Sequence, residues 1–173
     1  CGADFLGKTA EADLEGGFGF DLEVYGVTLS ATCGYRIGGY GMDYTYMMLM
    51  GNEKVGNYNW HVDMRDAWTE TNTETNIPRL SNGADLYTNS TSTRFLTSNS
   101  YLSLNNIRVG YNFPKKLLDK AKIKKLEIYV QGDNLAIATA RKGYNPTVST
   151  TGASNSYQYT PLSTVMGGIK IIF

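Results

Sequence analysis

Apolar and polar residues alternate in several stretches of the chain, as they do in β-strands with one apolar face. In the final stretch, one face carries the apolar residues Val165, Ile169, Ile171 and Phe173, with Gly167 between them, and the other carries Met166, Gly168, Lys170 and Ile172. This period of two predicts a strand. The closing strand of a transmembrane barrel has such a pattern, with an aromatic residue at the membrane interface. A buried last strand of a soluble β domain has it as well, and these residues alone favour neither interpretation.

Two more alternating stretches flank the dipeptide Tyr25–Gly26 and predict strands at 17–25 and 27–37. If Tyr25 and Gly26 form a two-residue hairpin loop, the apolar residues of both strands lie on the same face of the sheet. Tyr-Gly is not the strongest turn pair, so the prediction depends on this match of phase. The expected pairs are Val24 with Val27, Leu22 with Leu29 and Phe20 with Ala31.

The second half of the chain predicts three further strands. Leu102 and Leu104 are out of phase with the apolar residues that follow them, which predicts a bulge or a strand start near Asn105. The basic stretch from Lys115 to Lys125 is expected to be a short connector with one or two helical turns. The three strands are expected at 101–113, 125–134 and 164–173.

The predicted loops alternate between short and long. The short connections lie at Tyr25–Gly26 and 114–124, and the long ones at 38–100 and 135–162. Outer-membrane barrels combine short periplasmic turns with long extracellular loops, whereas such long loops are unusual in a compact soluble domain. We therefore expect an all-β fold, an antiparallel transmembrane β-barrel segment whose extracellular loops contain short helices. A soluble sandwich would show the same alternation with its apolar face turned to a core.

The composition changes this picture little. The 173 residues include 16 basic and 16 acidic ones, so the zero net charge gives no indication of nucleic-acid binding. No run approaches the roughly 20 apolar residues of a membrane-spanning helix. The cysteines, Cys1 and Cys33, are too few for a disulfide framework or a metal site. Because the chain begins at Cys1 without an initiator Met, we expect a fragment or a processed product, with a mature lipoprotein as a second interpretation.

No motif in the sequence indicates catalysis, and neither a cofactor nor a metal ion is expected. His61 has no Cys or His at ligand spacing and is interpreted as a structural residue of the first long loop. The stretch 59–68 predicts a short helix with two tryptophans on one face. Packing within the loop is the favoured interpretation of these tryptophans, and contact with a substrate or partner is the alternative. The residues considered for such contact are Tyr58, Trp60, Trp68 and Arg79.

The two faces of the predicted strands differ in chemistry. In a barrel, apolar residues such as Leu22, Leu29, Ile128 and Ile169 would contact lipid. The charged and amide residues would line a water-filled lumen and need no special role there. The residues expected to face the lumen are Asp21, Glu23, Arg36, Arg108, Glu127 and Gln131.

The second half of the chain resembles a known family. Residues 100–114, SYLSLNNIRVGYNFP, are similar to the late-strand motif of the SusC/RagA family, and residues 126–135, LEIYVQGDNL, resemble its following strand. The KGYNP sequence at 142–146 and the ending on Phe173 match as well, and segments at 16–20, 59–61 and 67–69 look similar. The members of this family are TonB-dependent transporters in the outer membrane of Bacteroidetes.

The resemblance implies a function, partners and a location. It implies that residues 1–173 are the C-terminal portion of a multi-pass β-barrel in the outer membrane of a Gram-negative bacterium, about five strands of the roughly 22 in a large transporter. It also implies import of glycans or peptides with a SusD-like surface lipoprotein, driven by the TonB system through the N-terminal part of the transporter. Ile169, Ile171 and Phe173 would then serve as an assembly signal. The alternative is a surface-anchored β-sandwich lipoprotein that acts as a binding or adhesive module.

Overall fold

A computed structural model describes residues 6–51, 59–85, 87–149, 153 and 159–173. Its main feature is an antiparallel sheet of five long strands. Two short strands pair in a second, smaller sheet. In chain order the strands are β1 (Leu14–Val24), β2 (Val27–Ile37), β3 (Tyr40–Met42), β4 (Leu96–Ser98), β5 (Tyr101–Asn112), β6 (Lys125–Thr139) and β7 (Thr164–Ile172). The large sheet has the order β1-β2-β5-β6-β7, and β3 pairs with β4.

The helices are short and lie in the connections. The α-helices are α1 (Tyr44–Leu49) and α2 (Lys115–Leu118), and the 3-10 helices are Val62–Asp66, Thr93–Phe95, Asp119–Ala121 and Pro146–Val148. Within the part of the chain that the structure describes, no helix is both long enough and apolar enough to cross a membrane.

The hairpin at Tyr25–Gly26 has the predicted register. Val24 pairs with Val27, and the predicted pairs further along the two strands follow. Tyr25 and Gly26 have φ angles of 50° and 86°, and a two-residue turn of type I′ needs such left-handed values at both positions. A Cβ at Gly26 would lie 2.6 Å from the carbonyl oxygen of Asn112. Glycine therefore allows the turn to pack against β5.

The predicted bulge lies at Asn105. The register of β5 shifts there with both of its neighbours, and Asn105 has no Cα partner in either strand. One extra residue reverses the phase of a strand. As a result Leu102 and Leu104 lie on the same apolar face as Ile107, although the alternation in the sequence is broken.

Some predicted boundaries are wrong. The first strand begins at Leu14 rather than 17, and β6 continues past its predicted end at 134 to Thr139. Asn134 has a φ of 52°, a left-handed value that asparagine tolerates better than most residues. The pairing with β5 resumes beyond this residue, with Ala136 opposite Leu104. The second long loop is shorter than predicted for the same reason.

The apolar face of the large sheet is exposed. Among the described residues, no second sheet packs against it, so it is not the core face of a sandwich. The buried cluster lies instead in the first long loop and consists of Met50, Met64, Ala67, Ile77 and Phe95. Large apolar side chains that are exposed on the sheet include Phe18, Phe20, Leu22, Val109, Ile128, Val130, Ile169 and Ile171.

Candidate functional site

The polar face of the large sheet carries a connected group of charged and aromatic side chains. Arg108 Nη2 donates to Glu127 Oε1 at 2.6 Å, and its guanidinium lies 3.8 Å from the centroid of the Tyr129 ring. Lys125 Nζ lies 3.8 Å from Glu127 Oε2. Glu127 is buried beneath these two cations, which compensate its charge. The salt bridge and the cation–π contact together hold Arg108 flat on the sheet.

The Tyr129 ring lies against the backbone of β7. A Cβ at Gly168 would be 2.5 Å from the ring, so this close approach requires glycine. Further along the same face, Asp133 Oδ1 accepts from Asn106 Nδ2 at 2.5 Å and from Gln131 Nε2 at 3.2 Å. These contacts produce a continuous polar surface over β5, β6 and β7.

The other residues predicted for this face are spread over it. Asp21 and Glu23 lie on the edge strand β1, where Asn112 Nδ2 approaches Glu23 Oε1 at 3.4 Å. Arg36 lies towards the opposite end of β2 and is buried. Its Nη2 donates to the carbonyl oxygen of Ala10 at 2.8 Å. The structure therefore brings Arg108, Glu127 and Gln131 onto neighbouring strands but leaves the other three residues apart from them.

The first long loop folds into a layer of its own, here called the loop layer (described residues of 40–98). Phe95, 1% exposed, is at its centre, and Trp60 packs against the buried cluster. The prediction of one helix over 59–68 is wrong. The helix is a 3-10 helix at Val62–Asp66, and His61 precedes it and accepts a hydrogen bond from the Asp63 amide at 3.2 Å. Both tryptophans lie outside this helix, and they do not share a helical face.

Two of the residues considered for substrate or partner contact line one cavity. Trp68, 39% exposed, and Arg79 lie on its wall, and its volume is about 450 Å³. Arg79 binds Asp85 through two hydrogen bonds of 2.7 and 2.9 Å, and this guanidinium lowers the pKa of the Asp85 carboxyl. An indole with one free face can stack on a ligand while its N–H finds a polar partner. Tyr58 lies outside the described residues.

A buried network that the sequence did not reveal joins the two long loops. Asp43, 3% exposed, forms an ion pair with Arg141 of the second loop and caps α1 by accepting from the Tyr46 amide at 2.9 Å. The Arg141 guanidinium lies 3.6 Å from the Tyr46 ring centroid, and burial lowers the pKa of this guanidinium. The KGYNP sequence beside Arg141 marks this region in the sequence, but nothing in it indicates Asp43 as a partner.

Two tyrosines complete this network. Tyr46 Oη donates to Asp63 Oδ2 at 2.8 Å, and burial together with this hydrogen bond raises the pKa of Tyr46 to about 12. Tyr144 Oη donates to Asn99 Oδ1, and Asn99 is fully buried. Among the residues described, no group of three or more His, Cys, Asp or Glu side chains is placed to hold a metal ion.

The chain is similar to a TonB-dependent receptor and to a peptide importer. No protein-family model matches it. The TonB-dependent receptor P3 of Formosa agariphila is 31% identical over 134 residues, which cover 78% of this chain and 13% of that receptor. The structure of the RagAB peptide importer in its closed-closed state matches this chain with a TM-score of 0.76 and 25% sequence identity. The match covers 96% of this chain and 18% of that chain. A structure of the RagAB peptide transporter matches with a TM-score of 0.76 and 26% sequence identity, and the match covers 95% of this chain and 17% of that chain.

The sheet with its exposed apolar face, together with these similarities, defines the fold class: an antiparallel β-barrel segment that resembles part of the barrel of TonB-dependent transporters. The resemblance to the SusC/RagA family is confirmed by the same comparisons. The matched relatives are receptors and transporters, which supports a role other than catalysis. The chain spans less than a fifth of each of these relatives.

Proposed function

We propose that residues 1–173 are the C-terminal portion of an outer-membrane TonB-dependent transporter that imports glycans or peptides together with a SusD-like surface lipoprotein. The observation that carries this proposal is the pair of opposite sheet faces. Apolar side chains are exposed on one face of the sheet, and the network of Arg108, Glu127 and Tyr129 lies on the other. A barrel strand in lipid needs an apolar outer face and a polar inner face. The similarity to the RagAB peptide importer supports the transport role.

The proposed orientation puts the short connections in the periplasm and the loop layer outside the cell. The edge of the sheet that carries the short connections, here called the short-loop edge, is rich in aromatic residues. Tyr25 lies there in the hairpin and is 98% exposed. Tyr111 and Phe113 lie there as an edge-to-face pair with ring centroids 5.1 Å apart. Aromatic residues of this kind form the interfacial girdle of a barrel. In the intact transporter, an epitope tag inserted near Asn89 should be labelled on whole cells. Labelling that requires permeabilised cells would contradict this orientation.

We assign the polar face to the transport path. Arg108, Glu127 and Gln131 would line the lumen directly, with Asp21 and Glu23 further along the same wall on the edge strand β1. Because Arg108 is held by both Glu127 and Tyr129, it presents a fixed positive charge rather than a mobile one. A glycan hydroxyl or a peptide carboxylate could accept its remaining N–H groups.

We assign the cavity at Trp68 and Arg79 to contact with the lipoprotein or the substrate. Support comes from the exposed indole and from the position of the cavity on the loop layer. Exposed aromatic and arginine residues dominate the energies of many interfaces. The W68A variant should therefore weaken lipoprotein retention or substrate uptake about 30-fold, which corresponds to the ~2 kcal/mol of an interface hot spot.

The control for W68A is Y87A, which removes a tyrosine that is 80% exposed on the same layer but does not line the cavity. Both variants are made in the intact transporter. Lipoprotein that copurifies with the transporter and uptake of oligosaccharides and peptides are measured separately. Equal behaviour of W68A and Y87A would contradict the assignment of this cavity. Loss of uptake for only one substrate class would identify the class.

A further inference from the structure

The connection between β5 and β6 carries the highest density of positive charge in the chain. Six of the ten lysines lie between 115 and 125, and Asp119 is the only acidic residue in that range. This segment, here called the lysine connector (115–125), contains α2 and the following 3-10 helix and ends at the first residue of β6. Leu118 is buried and anchors it. The lysines are Lys115, Lys116, Lys120, Lys122, Lys124 and Lys125.

Two of these lysines are engaged within the protein. Lys124 Nζ donates to the carbonyl oxygen of Phe173 at 2.8 Å, and Lys125 lies near Glu127. The other four side chains are exposed. Within the described residues none of them forms an ion pair. Four like charges on one short segment repel one another, so a negatively charged ligand would relieve this repulsion.

The surroundings of the lysine connector are apolar. Leu117 is 65% exposed between the lysines, and Tyr25 projects from the neighbouring hairpin. The exposed apolar face of the sheet reaches this edge at Tyr111 and Ile128. Lysines beside exposed apolar side chains are typical of segments that lie at the headgroup level of a membrane. A soluble anion would have no use for the apolar part of such a surface.

We propose that Lys115, Lys116, Lys120 and Lys122 bind the phosphate groups of anionic phospholipids in the leaflet at the short-loop edge. This inference rests on the proposed function, because the apolar face must lie in the bilayer to bring the connector to the headgroups. Each ammonium group donates up to three hydrogen bonds to phosphate oxygens, and the lysine stems can lie along the apolar surface. Leu117 contacts the upper part of the acyl chains.

The test uses the intact transporter in nanodiscs of equal parts phosphatidylglycerol and phosphatidylcholine. Native mass spectrometry of the transporter released from them measures the ratio of the two lipids that stay bound. We expect enrichment of phosphatidylglycerol in the parent and a loss of about tenfold in the pairs K115Q/K116Q and K120Q/K122Q. The pair K115R/K116R keeps the charge and should keep the enrichment.

The matched control is K142Q/K170Q, which also removes two charges. Lys142 follows β6 at the long-loop edge, and Lys170 lies opposite Glu127 in the register of β6 and β7 on the polar face, so neither belongs to the connector. Enrichment should persist in this variant. No enrichment in the parent, or an equal loss in the control and in the connector pairs, would overturn the proposal. Water-soluble glycerophosphoglycerol that binds as tightly as the lipid would also overturn it, because the ligand would then be a free phosphate ester.

Failure of this inference can be told apart from failure of the proposed function. Insertion of the folded barrel into the nanodisc is followed independently by its heat-modifiable migration on gels. A parent protein that inserts without enriching phosphatidylglycerol would refute the lysine site and leave the barrel assignment intact. A parent protein that does not insert would refute both.

Discussion

Asp43 and Arg141 are joined as an ion pair although they belong to different long loops. Both charges are largely removed from water, and their environment includes the Tyr46 ring. Isolated buried charges are costly, whereas a pair with further hydrogen bonds is tolerated. Asp43 has such a bond, because it also caps α1. The pair therefore couples the order of the second loop to that of the loop layer.

Replacing Asp43 with Asn keeps an acceptor for the α1 cap but leaves Arg141 without a counter-charge. The loop layer should lose about 3–5 kcal/mol of stability, the usual cost of breaking a buried pair. The double variant D43N/R141M should recover part of this loss because it removes the unpaired charge. Hydrogen exchange of residues 40–50 and 140–149 in the intact transporter measures both effects. Unchanged exchange in D43N would contradict the coupling. The control is D85N, which breaks the exposed pair with Arg79 and should leave the exchange of both segments unchanged.

Tyr46 gives a prediction for alkaline pH. Its pKa is raised to about 12 in the folded protein by burial and by the hydrogen bond to Asp63, and an unfolded tyrosine ionises near 10. The contribution of Tyr46 to stability is therefore complete below pH 10 and is lost as the pH rises towards 12. Absorbance at 295 nm should show a late-ionising tyrosine that is missing in Y46F. Ionisation of Tyr46 together with the exposed tyrosines near pH 10 would contradict this.

At the level of strands and loops, local sequence patterns predict the long strands and little of the loop layer. The phase match around Tyr25 predicts the hairpin register, and the phase break before Ile107 predicts the bulge. The predicted end of β6 is too early because Gly132, Asp133 and Asn134 are residue types that favour turns. The strand passes through these residues because β5 continues to supply backbone partners. Such support from a neighbouring strand cannot be read from β6 alone.

The loop layer depends on contacts that local patterns do not contain. Phe95 packs with residues far from it in the sequence, and Asp43 finds Arg141 in another loop. Neither loop has a helical or strand period long enough to predict these positions. The aromatic residues of the site were recognisable by type, but only the structure distinguishes the packed Trp60 from the half-exposed Trp68.

Because the two sheet faces differ in chemistry, a new charge should lower stability on the apolar face but not on the polar face. Ile107 lies on the apolar face near the middle of β5, and Thr32 is exposed on the polar face of β2 at a similar depth. The I107R variant should lose about 2–4 kcal/mol in vesicles because arginine would face lipid. The T32R variant should be nearly neutral. Urea unfolding of the intact transporter in vesicles compares the two, and equal costs would contradict the assigned facing.

At the level of the whole molecule, the large sheet is open, with β1 and β7 as its edges. Unpaired backbone groups in lipid cost several kcal/mol each, so both edges must pair with further strands when the barrel forms. Ile169, Ile171 and Phe173 present exposed apolar side chains along β7 and just beyond it. We therefore propose that these three residues help the last strand to find its partner during assembly.

Changing Phe173 to Asp should lower the amount of folded transporter in the outer membrane. Molecules that do assemble should import substrate almost normally, because Phe173 lies at the short-loop edge, away from the loop layer. The measurements are membrane abundance and uptake per assembled molecule, with F173Y as the conservative control. Normal abundance with lost uptake would point instead to a functional contact at this edge.

The first long loop leaves the sheet and returns to it at one place. The Asn99 amide donates to the Gly39 carbonyl oxygen at 2.9 Å, and the Gly38 amide donates to Ser100 Oγ at 3.0 Å. An insert whose ends meet in this way, with a buried cluster of its own, can be exchanged between homologous proteins without disturbing the scaffold. Recombination could therefore transfer the loop layer, with its cavity at Trp68 and Arg79, as one unit. A graft of this loop layer into another barrel would have to carry Arg141 with it, since Asp43 would otherwise lose its counter-charge.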